Sequence, residues 1–434
     1  MQEIQENIKD INGFNVHYIP NQKYKTLTVV LKLRAPLDRD TITKRALLPY
    51  VLKQGTKQYP SKQELQIKLD GLYGASLSID GAKKGENHII SVRLDIANQK
   101  FLAGDSSVFE EGLQLLYDVL FNPNVDDQGF NNSIFSREKE TLKQKNLSLK
   151  DDKMSYANLR LIDEMCKGEP YAVHVHGYLD DLEKITPASL FSYYQQVVAN
   201  DQIDIYVQGD LSKENMEEAI KKVFQQANKN QPRLKHKDLK ERHFNKTDVT
   251  PKEIVETDKV QQAKLHIGYR TNVTFGEPAY YALHVLNGIF GGFPSSKLFI
   301  NVREKNSLAY YAASRMESHK GLLFVFSGIA PENFEKARDI IKKQVEAMKQ
   351  GDFTTQDIAE AKAVITNQLL ETFDSPQGTI EFLYQQVLAN KKITPLHFVE
   401  QLNKVTKEEI VAVAKRLQED TTYLLTAEKG DSHE

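Results

Sequence analysis

The chain has 434 residues, too many for one ordinary core, and about two domains of roughly 200 residues each is the natural division. Its 57 Lys and Arg nearly balance 59 Asp and Glu, and a net charge of −2 argues against the basic footprint of a nucleic-acid-binding protein. No run of about 18 apolar residues is present to span a membrane, and the polar start MQEIQENIKDING has no apolar stretch for a signal peptide. The single cysteine, Cys166, excludes an internal disulfide and a Cys-based zinc cage. A cytoplasmic protein with neither nucleic-acid nor membrane partners is expected.

In chain order, β-branched and alternating residues predict strands over 13–19 and 24–35, followed by helices over 41–54 and 61–72. A strand pair follows, ASLSIDGA and HIISVRLDI, turning at Lys83, Lys84 and Gly85. Amphipathic helices are expected over 106–121, 128–148, 153–167 and 187–199, then the strand IDIYVQGD and a helix over 212–228. The same order then returns. Strands EIVETD and KLHIGYR precede helices over 278–291 and 295–305. A second pair, LAYYAASRME and GLLFVFSGIA, turns at His319, Lys320 and Gly321. Helices over 332–349, 354–372, 375–389 and 395–418 lead to a closing strand, TTYLLTAE.

Superposing Gly85 on Gly321 also brings Leu72 onto Leu308, so the two halves share one plan. The polar stretch NKNQPRLKHKDLKERHFNKTD marks the boundary. The expected organisation is 1–228, a linker over 229–250, and 251–434. The fold class is α+β: two tandem domains, each a mostly antiparallel sheet with helices on one face.

Residues 287–311, NGIFGGFPSSKLFINVREKNSLAYY, carry the first sharp signal. The pattern G-G…S-S-x-L-F…R-E-x-x-x-L-A-Y resembles that of the insulinase/pitrilysin superfamily, the inverted zincins, and the two-copy plan fits along nearly the whole chain. In active members the matching Arg holds a substrate carbonyl or carboxylate, and the matching Tyr donates to the oxyanion formed at the scissile bond. The resemblance therefore implies substrate contacts for Arg303 and Tyr310. On the residues alone, a surface ion pair and a strand aromatic are the simpler readings.

Active members carry H-x-x-E-H-x-x-x-x-G-T on a helix, in which two His grip zinc and the Glu activates the bound water. Here the stretch is KRALLPYVLKQGT. Gly55-Thr56 sets the register, placing Ala46 and Tyr50 at the His positions and Pro49 at the catalytic Glu. Alanine has no lone pair, neutral Tyr with a pKa of about 10 is a poor ligand, and proline is no base. The later helix, FSREKETLKQK, aligns Glu138 with the family's first Glu and Lys145 with its third zinc ligand. A cation at that point repels Zn²⁺; Lys145 would either supply positive charge to nearby carboxylates or stand as a solvated residue on the helix face.

Other sites are weaker. His174 and His176 form H-x-H, read as a structural loop because no further ligand is adjacent in sequence. No phosphate loop or nucleophile elbow is present.

The stretches KRALLPYVL, LYGAS, KKGENHI and EMCKGEPY resemble the Gram-positive YmfF/YfmF-like group within that superfamily. The resemblance implies a non-catalytic homologue with no cofactor of its own. It would pair with a similar HxxEH-bearing chain, as a heterodimer whose zinc lies in the partner, or form a homodimer, and would bind or process peptides. An active metallopeptidase with atypical ligands and a purely structural scaffold are the alternatives.

Overall fold

A computed structural model describes residues 3–103, 107–211, 216–225, 246 and 248–428. Most of the expected linker 229–250 lies outside the described residues, as do both ends of the helix expected over 212–228. Contacts divide the chain into two units. One contains Ile4–Leu147 and the described residues from Val173 to Gln225; the other contains Ser148–Ala172 and the described residues from 246 onward. The segment Ser148–Ala172, assigned by sequence to the first domain, thus packs with the second half.

The N-terminal unit begins with a hairpin, β1 (Asn7–Ile11) and β2 (Phe14–Pro20). Asn12 and Gly13 turn it with φ of 56° and 82°, the left-handed pair that suits the twist of a two-residue hairpin loop. Strands β3 (Thr26–Pro36), β4 (Ser76–Lys84), β5 (Asn87–Ala97) and β8 (Gln202–Gly209) complete a sheet ordered β1-β2-β8-β3-β5-β4. All its pairings are antiparallel except β2 with β8. A small ribbon, β6 (Val125–Asp126) with β7 (Gly129–Phe130), lies outside this sheet.

Helices α1 (Ile42–Leu52), α2 (Lys62–Gly71), α3 (Val108–Phe121), α4 (Asn132–Ser148), α6 (Leu179–Lys184), α7 (Pro187–Asn200) and α8 (Met216–Phe224) belong to this unit, while α5 (Lys153–Met165) does not. Alternate residues Leu27, Val29, Leu31 and Leu33 of β3 pack with Leu47, Leu48 and Val51 of α1 in one apolar core.

The C-terminal unit has a sheet ordered β11-β12-β10-β13-β9, from β9 (Lys252–Thr257), β10 (Ala263–Arg270), β11 (Ala309–Glu317), β12 (Leu322–Ile329) and β13 (Gln418–Thr426). Its order matches β4-β5-β3-β8-β2, and again one pair alone, β13 with β9, is parallel. The duplication read from element order is therefore present in the topology, and the fold is α+β.

Three helices differ from expectation. The 278–291 helix is α-helical over Ala279–Asn287 and π-helical over Gly288–Gly292; the 295–305 helix is π-helical over Phe299–Glu304. The 395–418 helix is two, Pro395–Lys404 and Lys407–Arg416, because Thr406 and Glu409 form a capping box that starts the second.

Helix α5 places Ala157, Leu161 and Met165 on one face, at a spacing of four. That face packs on Leu322, Phe324, Phe326, Tyr423 and Leu425, while the alternating Leu323 and Val325 point away from α5 and are also buried. The C-terminal sheet is therefore covered on both faces rather than on one. Gly268 permits the close approach: a Cβ there would lie 2.4 Å from Met165 Sδ.

The segment is pinned by charge as well. Arg270, 1% exposed, donates to Glu169 at 2.6 Å and to Asp420 at 2.8 Å, and Lys320 reaches Glu169 at 2.7 Å. Removing one member of a buried ion cluster leaves its partners uncompensated. We expect Glu169→Ala to lower stability by about 3–5 kcal/mol in urea denaturation. A loss under about 1 kcal/mol would mean that the cluster does not hold the segment.

Candidate functional site

Helix α1 runs through Pro49 to Leu52, although proline cannot donate to the Arg45 carbonyl one turn earlier. Ala46 is buried, Pro49 is buried, and Tyr50 packs partly exposed against the core. The turn that sets the register is structurally demanding. A Cβ on Gly55 would lie 2.7 Å from the Tyr59 carbonyl oxygen, and Thr56 N–H donates to that oxygen at 2.8 Å.

Lys145, on the exposed side of α4, comes to the α1 position aligned with the second His. Its Nζ is 5.9 Å from the Tyr50 ring centre, and Lys53 Nζ sits 4.8 Å from the same ring. The fold thus brings together two of the positions predicted from the motif register and fills them with an aromatic ring and cations. Glu138 is buried but ion-paired to Arg137 at 2.9 Å, so this carboxylate is met by arginine and not by Lys145. Arg137 also donates to Gln54 Oε1 at 3.0 Å, and Gln54 Nε2 to the Tyr50 carbonyl at 3.3 Å, a polar chain tying α4 to the end of α1.

His174 and His176 belong to a tightly held loop. Tyr178 N–H donates to Thr43 Oγ1 at 3.1 Å, and Gly177, with φ of 70°, abuts Thr43 so closely that any Cβ would clash at 2.5 Å. Asn146 of α4 donates to the His176 carbonyl at 3.1 Å, while the His174 ring stacks on Tyr178 at 4.6 Å. The H-x-H element is a packed loop, and among the described residues no group of three or more His, Cys, Asp or Glu is placed to hold a metal ion.

Sequence reading missed Arg45, the residue before Ala46. Its guanidinium is 2% exposed and donates to Asp201 at 2.6 Å, to His88 Nδ1 at 3.0 Å and to the Leu33 carbonyl at 3.0 Å. Arg45 follows Lys44 at the head of the apolar run ALLPYVL, so nothing local distinguished it as the buried charge that requires a partner.

The Arg45 bond fixes the tautomer of His88, with Nδ1 accepting. Burial first, then the neighbouring Arg45 and His176, push the His88 pKa down to about 3. Burial, followed by Lys145 and His174, pushes His176 down to about 4. Both rings are neutral in the fold while the unfolded chain protonates them near 6.5. Their contribution to stability is therefore full above about pH 6.5 and is lost as pH falls toward about 4 and then 3.

Arg303 and Tyr310 lie in the C-terminal unit on adjoining irregular elements. Arg303 ends the π-helical Phe299–Glu304, its guanidinium 4.6 Å from the Phe299 ring and 3.6 Å from Glu304. The chain reverses through Ser307, in the left-handed region at φ 51°, and enters β11, an edge strand. Tyr310 is the extra residue of a β-bulge, since Ala309 pairs with Ile329 and Tyr311 with Gly328. Its side chain is 72% exposed.

We expect Lys145→Gln to raise the His176 pKa from about 4 toward 6.5, measured by NMR titration of the ring protons. An unchanged value would show that Lys145 does not face that ring.

Comparisons with known proteins place this geometry. The family model described as Peptidase M16 inactive domain matches residues 184–365. The chain is 48% identical over 420 residues, 97% of each chain, to "Probable inactive metalloprotease YmfF" of Bacillus subtilis. Among solved structures, a conserved protein from Enterococcus faecalis superposes with a TM-score of 0.91 at 33% identity, over 98% of this chain and 100% of that one. A peptidase M16 inactive domain from Pseudomonas fluorescens gives 0.80 at 18% identity, over 98% and 99%, a likeness of fold. With nearly half its residues identical to a relative along almost the full length of both, the chain belongs to the M16 (insulinase/pitrilysin) peptidase family as a homologue of an inactive metalloprotease.

Proposed function

We propose that this chain is a non-catalytic subunit that pairs with an HxxEH-bearing chain and presents peptides to it. One observation carries the reading. The positions aligned with the zinc ligands hold Ala46, Tyr50 and Lys145, while the Arg303–Tyr310 element keeps a backbone more irregular than packing requires.

A π-helical turn, a left-handed non-glycine residue and a bulge occur within a dozen or so residues there. Such features cost free energy, of order 1–3 kcal/mol for a strained residue, and they cluster where side chains must be aimed. A purely structural module has no need of an exposed tyrosine aimed by a bulge. The chain alone has no water-activating base at position 49, so hydrolysis falls to the partner. Zinc then belongs to the partner chain. Extended peptide is suited to edge strands, which offer open backbone donors and acceptors; β4 and β11 are edges of their sheets. Among the described residues no helix is long and apolar enough to cross a membrane, in keeping with a partner and substrate met in solution.

The test is co-purification with an HxxEH-bearing chain of the same organism, followed by peptide-cleavage assays. The pair is expected to cleave and this chain alone not to. Arg303→Ala with Tyr310→Phe should reduce kcat/KM of the pair by about 10²-fold at unchanged assembly, as for loss of an oxyanion donor. Unaltered cleavage by the variant pair would favour a scaffold role instead.

A further inference from the structure

The two π-helical segments of the C-terminal unit border one cleft of about 180 Å³, which the helix Thr355–Thr372 lines from the other side. Such turns are rare and recur at functional sites, and here both contribute to a single opening. Ile289 of the first and Ile300 of the second join Phe293 and Ala361 in an apolar lining. Gly288 keeps that space open: a Cβ there would lie 2.5 Å from the Phe293 ring and 3.3 Å from the Ala361 Cβ.

Charges of both signs surround this lining, Lys297 and Lys305 together with Asp357 and Glu360. Among the described residues, no ion pair joins either lysine to either carboxylate. Lys297 Nζ reaches only Asp352, at 3.7 Å, a residue outside the cleft whose side chain is 78% exposed. Lys305 Nζ has no ionic or hydrogen-bond partner among the described residues. On the acidic side, Glu360 accepts from Gln356 of its own helix at 2.9 Å, and one Asp357 oxygen accepts from Thr354 N–H at 2.7 Å. The cleft therefore holds opposite charges apart across an apolar surface.

We propose that this cleft binds a free α-amino acid with an apolar side chain, such as leucine. Its carboxylate meets Lys297 and Lys305, its ammonium meets Asp357 and Glu360, and its side chain lies on Ile289, Phe293 and Ile300. A zwitterion satisfies both sets of charges at once, through charge-assisted hydrogen bonds that a singly charged ligand makes on one side only. The volume falls below the roughly 300–1,000 Å³ of sites that take drug-sized ligands, which limits the occupant to about one residue. The site goes beyond peptide presentation and needs no partner chain.

The test is a methyl-NMR titration of the full-length chain labelled at isoleucine, since Ile289 and Ile300 report from the cleft itself. The probes are L-leucine, N-acetyl-leucine, leucine amide and glycine. L-leucine is expected to shift both methyl signals at the lowest concentration. Each blocked form should need about tenfold more ligand, and glycine, without a side chain to bury, should bind less well than leucine. Lys305→Gln and Glu360→Gln alter exposed side chains, so each should weaken leucine by roughly fivefold at an unchanged melting temperature. Four results overturn the proposal: no shift at either isoleucine with L-leucine, blocked forms as effective as leucine, glycine as effective as leucine, or leucine binding unaltered in both variants. None of them bears on pairing with an HxxEH-bearing chain, which co-purification tests separately.

Discussion

Helix α1 is tied to its sheet by the buried Arg45–Asp201 ion pair. A buried guanidinium is costly unless its donors are satisfied. Arg45 meets most of that condition through Nε and Nη2, which span β3, β5 and the end of α7 at Leu33, His88 and Asp201, while its buried Nη1 makes no hydrogen bond. The apolar residues around it, Leu47, Leu48 and Val51, then pack in one orientation. With the helix so fixed, Ala46 turns inward, Tyr50 turns toward α4, and Lys145 is carried to it. The juxtaposition of Tyr50 and Lys145 thus follows from an anchor in the turn before Tyr50.

The two units solve different problems with the same topology. In the N-terminal unit the chemistry-bearing positions have been replaced, yet the surrounding turn at Gly55, the loop at Gly177 and the Arg137–Glu138 pair remain sterically exacting. In the C-terminal unit Arg303 and Tyr310 stand on a π-helical turn and a bulge.

Much of this was legible in the sequence. The Gly55-Thr56 turn stood out in the sequence, and the structure gives a reason for its glycine: a Cβ there would meet Tyr59 and Pro60. The hairpins at Gly85 and Gly321 exposed the duplication, since turn chemistry is local. Three things were not legible, each for a physical reason. The membership of α5 in the C-terminal unit depends on contacts between Met165 and Gly268, far apart in sequence. The π-helical turns at Gly288–Gly292 and Phe299–Glu304 share the periodic apolar pattern of α-helices and differ only in hydrogen bonding. Charge networks such as Arg45–His88–Asp201 join residues whose partners no local pattern names. Two signals were present and passed over: Asn12-Gly13 as a hairpin turn, and Thr406…Glu409 as a helix start.

On the reading proposed above, this member of a zinc-peptidase family binds no metal of its own. The most direct test is the metal content of the purified full-length chain after equilibration with zinc and removal of loosely bound ions. The account predicts zinc far below one ion per chain and a melting temperature unaffected by chelator. One tightly held zinc per chain, with destabilisation on chelation, would contradict it.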